Sequence, residues 1–189
     1  MKVLGIMGSP RKRGNTDLLL DKALRGAESE GAEVEKLIVI DLKIAPCGEF
    51  YGCLRDGKCV INDDMQQVYS KLLEAEGIIL ASPMFFYGLT SQVKALIDRC
   101  QALWVRKHVL KQIPLRPTRS KGIFISVGAT KGTRLFEGAQ LTLKYFFSAI
   151  DVEYSGELLI RGVDKKGEIK EHPTALEEAF QIGRRLAQN

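Results

Sequence analysis

Four short segments of this 189-residue chain carry side chains that could do chemistry. The first, Gly8-Ser9-Pro10-Arg11-Lys12-Arg13-Gly14-Asn15-Thr16, runs from an apolar strand pattern into a helix pattern. The first N–H groups of a helix lack an intrahelical acceptor, and the dipole makes that end positive, so the segment favours a phosphate. Ser9, Asn15 and Thr16 add donors, and Arg11 adds a bidentate guanidinium. There is no Gly-Lys-Ser/Thr and no Gly-x-Gly-x-x-Gly, which disfavours ATP and a dinucleotide of the Rossmann kind. The plainer alternative is a polar turn capped by Asn15 or Thr16.

The second segment, Ser82-Pro83-Met84-Phe85-Phe86-Tyr87-Gly88, puts three aromatic rings and a methionine in a loop. Such apolar surface is unfavourable in water; it walls a flat ring system, plugs the fold or meets another subunit. The third, Ser126 to Thr133, is a second strand-to-helix loop, in which Gly128 and Ala129 offer backbone donors to a ring edge or an anion. The fourth holds Cys47, Cys53 and Cys59, three of the four cysteines. In a chain read as cytoplasmic, such clustering points to metal, cluster or redox chemistry rather than to a disulfide framework. Cys100 falls on the apolar face of a helix pattern, where packing explains it. His108 and His172 have no ligand spacing and read as surface residues.

These segments need elements to position them. Apolar, β-branched runs predict strands at 2–6, 34–40, 77–81, 121–127 and 152–160, and helical periodicity predicts helices at 16–29, 64–74, 91–103, 135–150 and 173–187. Asp63 or Asp64 is the expected N-cap of the second helix. Five strands alternating with five helices give an α/β three-layer sandwich on a five-stranded parallel sheet. In such sheets ligands bind beyond the carboxyl ends of the strands, where the first three segments fall. Residues 1–189 read as one domain with a long cysteine-bearing loop at 41–63.

With 45% hydrophobic and 27% charged residues, the composition is that of a folded domain, without a membrane span or a signal-peptide core. The net charge of +5 suits an anionic ligand, but no Lys/Arg block or nucleic-acid module is present, so no nucleic-acid role is expected. The stretch from Leu103 to Lys121 carries Arg106, Lys107, Lys111, Arg116 and Arg119 with no acid. It reads as a solvated basic connector, with a dimer arm or a dinucleotide-phosphate site as alternatives.

Gly8-Ser9-Pro10-Arg11 with Gly14-Asn15-Thr16, then Pro83 to Gly88 and Lys94-Ala95-Leu96-Ile97-Asp98-Arg99, resembles the NADPH-dependent FMN reductase family, and within it the iron–sulfur flavoprotein branch. The resemblance implies a flavodoxin-like sheet in the order 2-1-3-4-5, with FMN as cofactor. It places the FMN phosphate on Ser9, Arg11, Asn15 and Thr16, the ring along Pro83, Met84, Phe85, Tyr87 and Gly88, and its pyrimidine edge against Gly128 and Ala129. It implies an oxidoreductase passing electrons from NAD(P)H to a flavin, a quinone or a similar acceptor; the alternative is an FMN electron carrier, which the positive charge disfavours. No side chain is expected to be catalytic, because the flavin carries the chemistry. Asp98 and Arg99 read as a structural pair or cap. The branch holds its cluster on C-x2-C-x2-C and a fourth cysteine; here Phe50 stands at the second position, so an iron–sulfur cluster is not expected. The aromatic residues in excess of one flavin's needs predict a homo-oligomer.

Overall fold

The apolar runs form strands, the three central ones buried on both faces, and the amphipathic stretches between them form helices packed on either side. The computed structural model describes residues 1–116 and 119–188. In chain order the elements are β1 (Lys2–Met7), α1 (Asn15–Ser29), β2 (Glu33–Ile38), the one-turn α2 (Cys53–Asp56), α3 (Met65–Glu74), β3 (Gly77–Pro83), α4 (Ser91–Arg99), α5 (Gln101–His108), β4 (Ser120–Gly128), α6 (Glu137–Ala149), β5 (Val152–Arg161) and α7 (Ala175–Ala187).

The five strands form one sheet, β2-β1-β3-β4-β5, parallel throughout, as expected. Alternate side chains of each strand enter opposite cores. Leu4, Ile6, Ile78, Leu80 and Phe124 pack against Val68 and Leu72 of α3, Leu96 of α4 and Phe147 of α6. Val3, Met7, Ile79, Ile123 and Ile125 pack against Leu20 and Leu24 of α1 and Ile182 and Leu186 of α7. Helices α1 and α7 lie almost in backbone contact: a Cβ on Gly183 would fall 1.8 Å from the Ala23 carbonyl oxygen.

Three expectations need correction. The helix foreseen at 91–103 ends at Arg99, and after Cys100 a second segment runs on to His108. Ala102, Leu103 and Val105 supply its buried face, and the cations at 106–108 suit a helix C-terminus. The basic stretch from 103 to 121, described except for residues 117 and 118, is not uniformly solvated. Arg116 is buried and donates to the carbonyls of Leu72, Ala75 and Ile150 at the ends of α3 and α6; burial lowers its pKa to about 10. His172 is half-buried, its Nδ1 accepting the backbone N–H groups of Thr174 and Ala175 at the start of α7. Among the described residues no helix is long and apolar enough to cross a membrane.

Candidate functional site

Hydrogen bonds between neighbouring strand ends bring the loops together. The Gly8 N–H donates to Ala81 O at 2.7 Å, and Met84 N–H to Val127 O at 2.9 Å. The Thr90 hydroxyl donates to Gly8 O at 2.7 Å and accepts from Val93 N–H, so one side chain caps α4 and ties it to the first loop. The Ser126 hydroxyl donates to Ser82 O at 2.7 Å. These bonds hold a cleft at the carboxyl ends of β1, β3, β4 and β5.

Of the expected residues, Ser9, Arg11, Asn15, Thr16, Pro83, Met84, Phe85 and Ala129 line this cleft. Its enclosed volume of about 100 Å³ holds a phosphate-sized group; a ring system would extend over Met84 and Phe85 at the open side. The N-cap of α1 is Gly14, with no side-chain cap. Because the first helical bond is Leu18 N–H to Gly14 O, the N–H groups of Asn15, Thr16 and Asp17 have no acceptor within the helix. Those backbone donors could take an anion, with Arg11 lining the same cleft.

The Asn15 side chain is also engaged away from the cleft. Its amide donates to Lys165 O at 2.9 Å and its oxygen accepts from Ile169 N–H at 3.2 Å, so the side chain pins the segment after β5. That segment also brings Val163, Asp164 and Lys166 to the cleft, which the sequence reading missed. The pair Lys165-Lys166 between Gly162 and Gly167, directly after the fifth strand, was the available signal. Gly128 does not line the cleft; it leaves room for Leu135, whose Cδ2 would lie 2.4 Å from a Cβ there.

Tyr87 and Gly88 do not line the cleft. Phe85 and Gly88 exchange two hydrogen bonds of 2.9 Å across a tight turn, with Phe86 at φ 48° and Tyr87 at φ 60°. Positive φ at both central residues is the I′ pattern, which favours Asn-Gly.

The cysteine loop is built differently. Cys47, Cys53 and Cys59 line a cavity of about 540 Å³ with Phe50, Tyr51 and Leu54. It is larger than the cleft, but size does not make it the better ligand site, since it presents no comparable set of oriented donors. Arg99, expected to pair with Asp98, instead holds the loop shut. Its guanidinium grips both oxygens of Asp63, at 2.6 and 3.0 Å, and donates to Ala45 O and Ile61 O. Asp98 pairs with Lys94. The Tyr69 hydroxyl donates to Arg99 O at 2.7 Å. Although burial opposes charge on both groups, the Arg99 contact holds the Asp63 carboxyl below its ordinary 3.8, and Asp63 and Cys59 hold Arg99 above its usual range. Asp63 also accepts Met65 N–H at the start of α3 from one residue before the N-cap; the N-cap itself is Asp64, whose side chain makes no capping bond.

A four-iron cluster does not fit this donor set. It normally takes four thiolates, and three are here. Among the described residues no three His, Cys, Asp or Glu side chains converge on a point that could hold a metal ion. Phe50, 69% exposed, lays its ring over Gly48 and offers no donor. Cys100 cannot substitute: it is buried, its thiol donates to Leu96 O, and burial pushes its pKa well up.

The fold is flavodoxin-like. A flavone reductase structure superposes on all of this chain with a TM-score of 0.75 at 23% identity, the chain spanning 62% of that structure's length. An NAD(P)H:quinone oxidoreductase from Methanothermobacter marburgensis superposes on 98% of it and 94% of its own length, with a TM-score of 0.71 at 15% identity. The family model for NADPH-dependent FMN reductase matches residues 1–153, so the chain belongs to that family. An iron-sulfur flavoprotein of Methanocaldococcus jannaschii is 34% identical over 198 residues, covering 100% of this chain and 96% of that protein.

Proposed function

We propose that the chain, acting as one FMN-binding unit, is an NAD(P)H oxidoreductase that passes electrons to a flavin, a quinone or a similar acceptor. The observation that carries this reading is the uncapped N-terminus of α1 opening on Ser9, Arg11 and Thr16 at one end of a cleft whose other end is Met84 and Phe85. The backbone N–H groups of the first α1 turn bind the phosphate; Ser9 and Thr16 donate to it, and Arg11 and Lys166 offset its charge. Pro83, Met84 and Phe85 exclude water from one face of the ring, and the backbone beside Ala129 meets its polar edge. Bound FMN supplies hydride acceptance and release at the ring. No side chain of the cleft is assigned a proton-transfer role.

The exposed Phe50, Tyr51, Trp104 and Tyr145 around the cysteine loop, α5 and α6 support self-association. Light scattering at micromolar concentration should give a multiple of the chain mass. Steady-state oxidation of NADH and NADPH by the FMN-loaded chain, with a quinone as acceptor, tests the enzymatic reading. Turnover above free FMN supports it; its absence with FMN bound leaves an electron carrier.

A further inference from the structure

The turn at the lip of the cleft is built against its own backbone preference. The paired bonds between Phe85 and Gly88 place Phe86 and Tyr87 at positive φ, where Cβ meets the backbone and asparagine or glycine is the usual occupant. Such strain persists only where the surroundings over-determine it. They do so at Tyr87. A Cβ on Gly138, in the first turn of α6, would stand 2.8 Å from the Tyr87 carbonyl oxygen, and one on Gly132 would lie 3.2 Å from its hydroxyl. The two glycines form the seat of the turn. Nothing comparable restrains Phe86, whose relative exposure is 106%. A strained apolar ring held in water, one residue beyond Phe85 of the cleft wall, contributes nothing to the stability of the isolated chain.

We propose that Phe86 is a specificity-determining residue, a fixed aromatic ledge on which the planar ring of a co-substrate stacks as it approaches the cofactor. The ligand class is a planar aromatic two-electron partner, either the nicotinamide donor or a quinone-like acceptor. This rests on the FMN reading above. Phe85 already walls the cleft, and Phe86 follows it in the turn with its ring fully exposed. The seated turn fixes the backbone, and a phenylalanine has only two side-chain torsions left to lose on stacking.

Phe86→Asn tests both halves of the argument. In the FMN-free chain it should raise the melting temperature by about 2–4 °C, since asparagine tolerates the backbone angle and no packing is removed. In the FMN-loaded chain, stopped-flow reduction by NADH or NADPH and reoxidation by a naphthoquinone are measured separately, with ferricyanide as an octahedral reference that cannot stack. The half-saturation concentration of at least one planar partner should rise about fivefold relative to ferricyanide, with its limiting rate held within about twofold. The affected half-reaction identifies the partner. Phe86→Trp should restore the wild-type ratio. A melting temperature that does not rise overturns the strain argument. Half-saturation values that stay within about twofold for every planar partner, or that shift equally for ferricyanide, overturn the ledge. A wild-type chain that takes up no FMN overturns the functional reading itself, and the ledge with it.

Discussion

The cleft and the cysteine loop occupy the same molecule and depend on opposite kinds of chemistry. In the cleft the donors are mostly backbone: the first turn of α1, the end of β3 and the loop after β4, fixed in place by strand-to-strand hydrogen bonds. In the cysteine loop any metal site would have to be made by side chains; three thiols are present, and Phe50 between them offers no ligand. Yet that loop is ordered, because Arg99 grips Asp63 and two loop carbonyls, with the Cys59 thiol beside it. A site made of backbone depends only on its fold; a site made of four thiolates depends on each of four side chains.

The largest effect is expected where the loop is pinned. Arg99 is buried and Asp63 nearly so, hence Arg99→Met should destabilise the chain by about 3–5 kcal/mol in urea unfolding, and Arg99→Lys, which keeps the charge but not the fork, should recover less than half of that. The pair also sets an acid limit. Because the folded Asp63 carboxyl lies below its ordinary 3.8, its contribution is complete above that value and is lost as the pH falls through the folded one. If Arg99→Met left stability and this acid shoulder unchanged, the loop would not be held as described. At the cleft, Arg11→Ala and Thr16→Ala should each weaken FMN binding by about 1–3 kcal/mol, read by fluorescence titration; unchanged affinity in both would move the phosphate elsewhere.

Iron sharpens the comparison further. Anaerobically purified protein should contain no stoichiometric iron or acid-labile sulfide, and Cys47, Cys53 and Cys59 should alkylate as thiols. Phe50→Cys, which restores a fourth thiol, is the variant expected to take up iron. About four irons per wild-type chain, with an EPR signal on reduction, would erase the contrast between the two regions. The smallest effect is expected from Lys166→Ala, whose exposed ammonium adds only a screened charge to the cleft: less than about threefold in FMN affinity, fading with salt.

Most of the architecture was legible because it rests on periodicity. The double-sided apolar runs at Gly77–Pro83 and Ser120–Gly128 are central strands, and the first cleft loop declared itself by lying between β1 and α1. What was not legible depends on partners distant in sequence. Nothing near Asn15 foretells that its amide is engaged by Lys165 and Ile169, 150 and 154 residues away. Arg99 looked like the mate of its neighbour Asp98, but helix geometry gives Asp98 to Lys94 one turn earlier and turns Arg99 inward to Asp63. Gly128 read as a ligand contact, whereas only the packing of Leu135 shows why a side chain is excluded there.

The central claim is that the cleft at the end of β1 holds one mononucleotide flavin. The chain should be purified, its cofactor released by denaturation, and the supernatant identified and quantified by mass spectrometry against the protein concentration. FMN at about one per chain, reduced to a small fraction in Arg11→Ala, is the predicted result. Release of FAD, or a colourless protein that takes up no FMN from solution, would contradict the account.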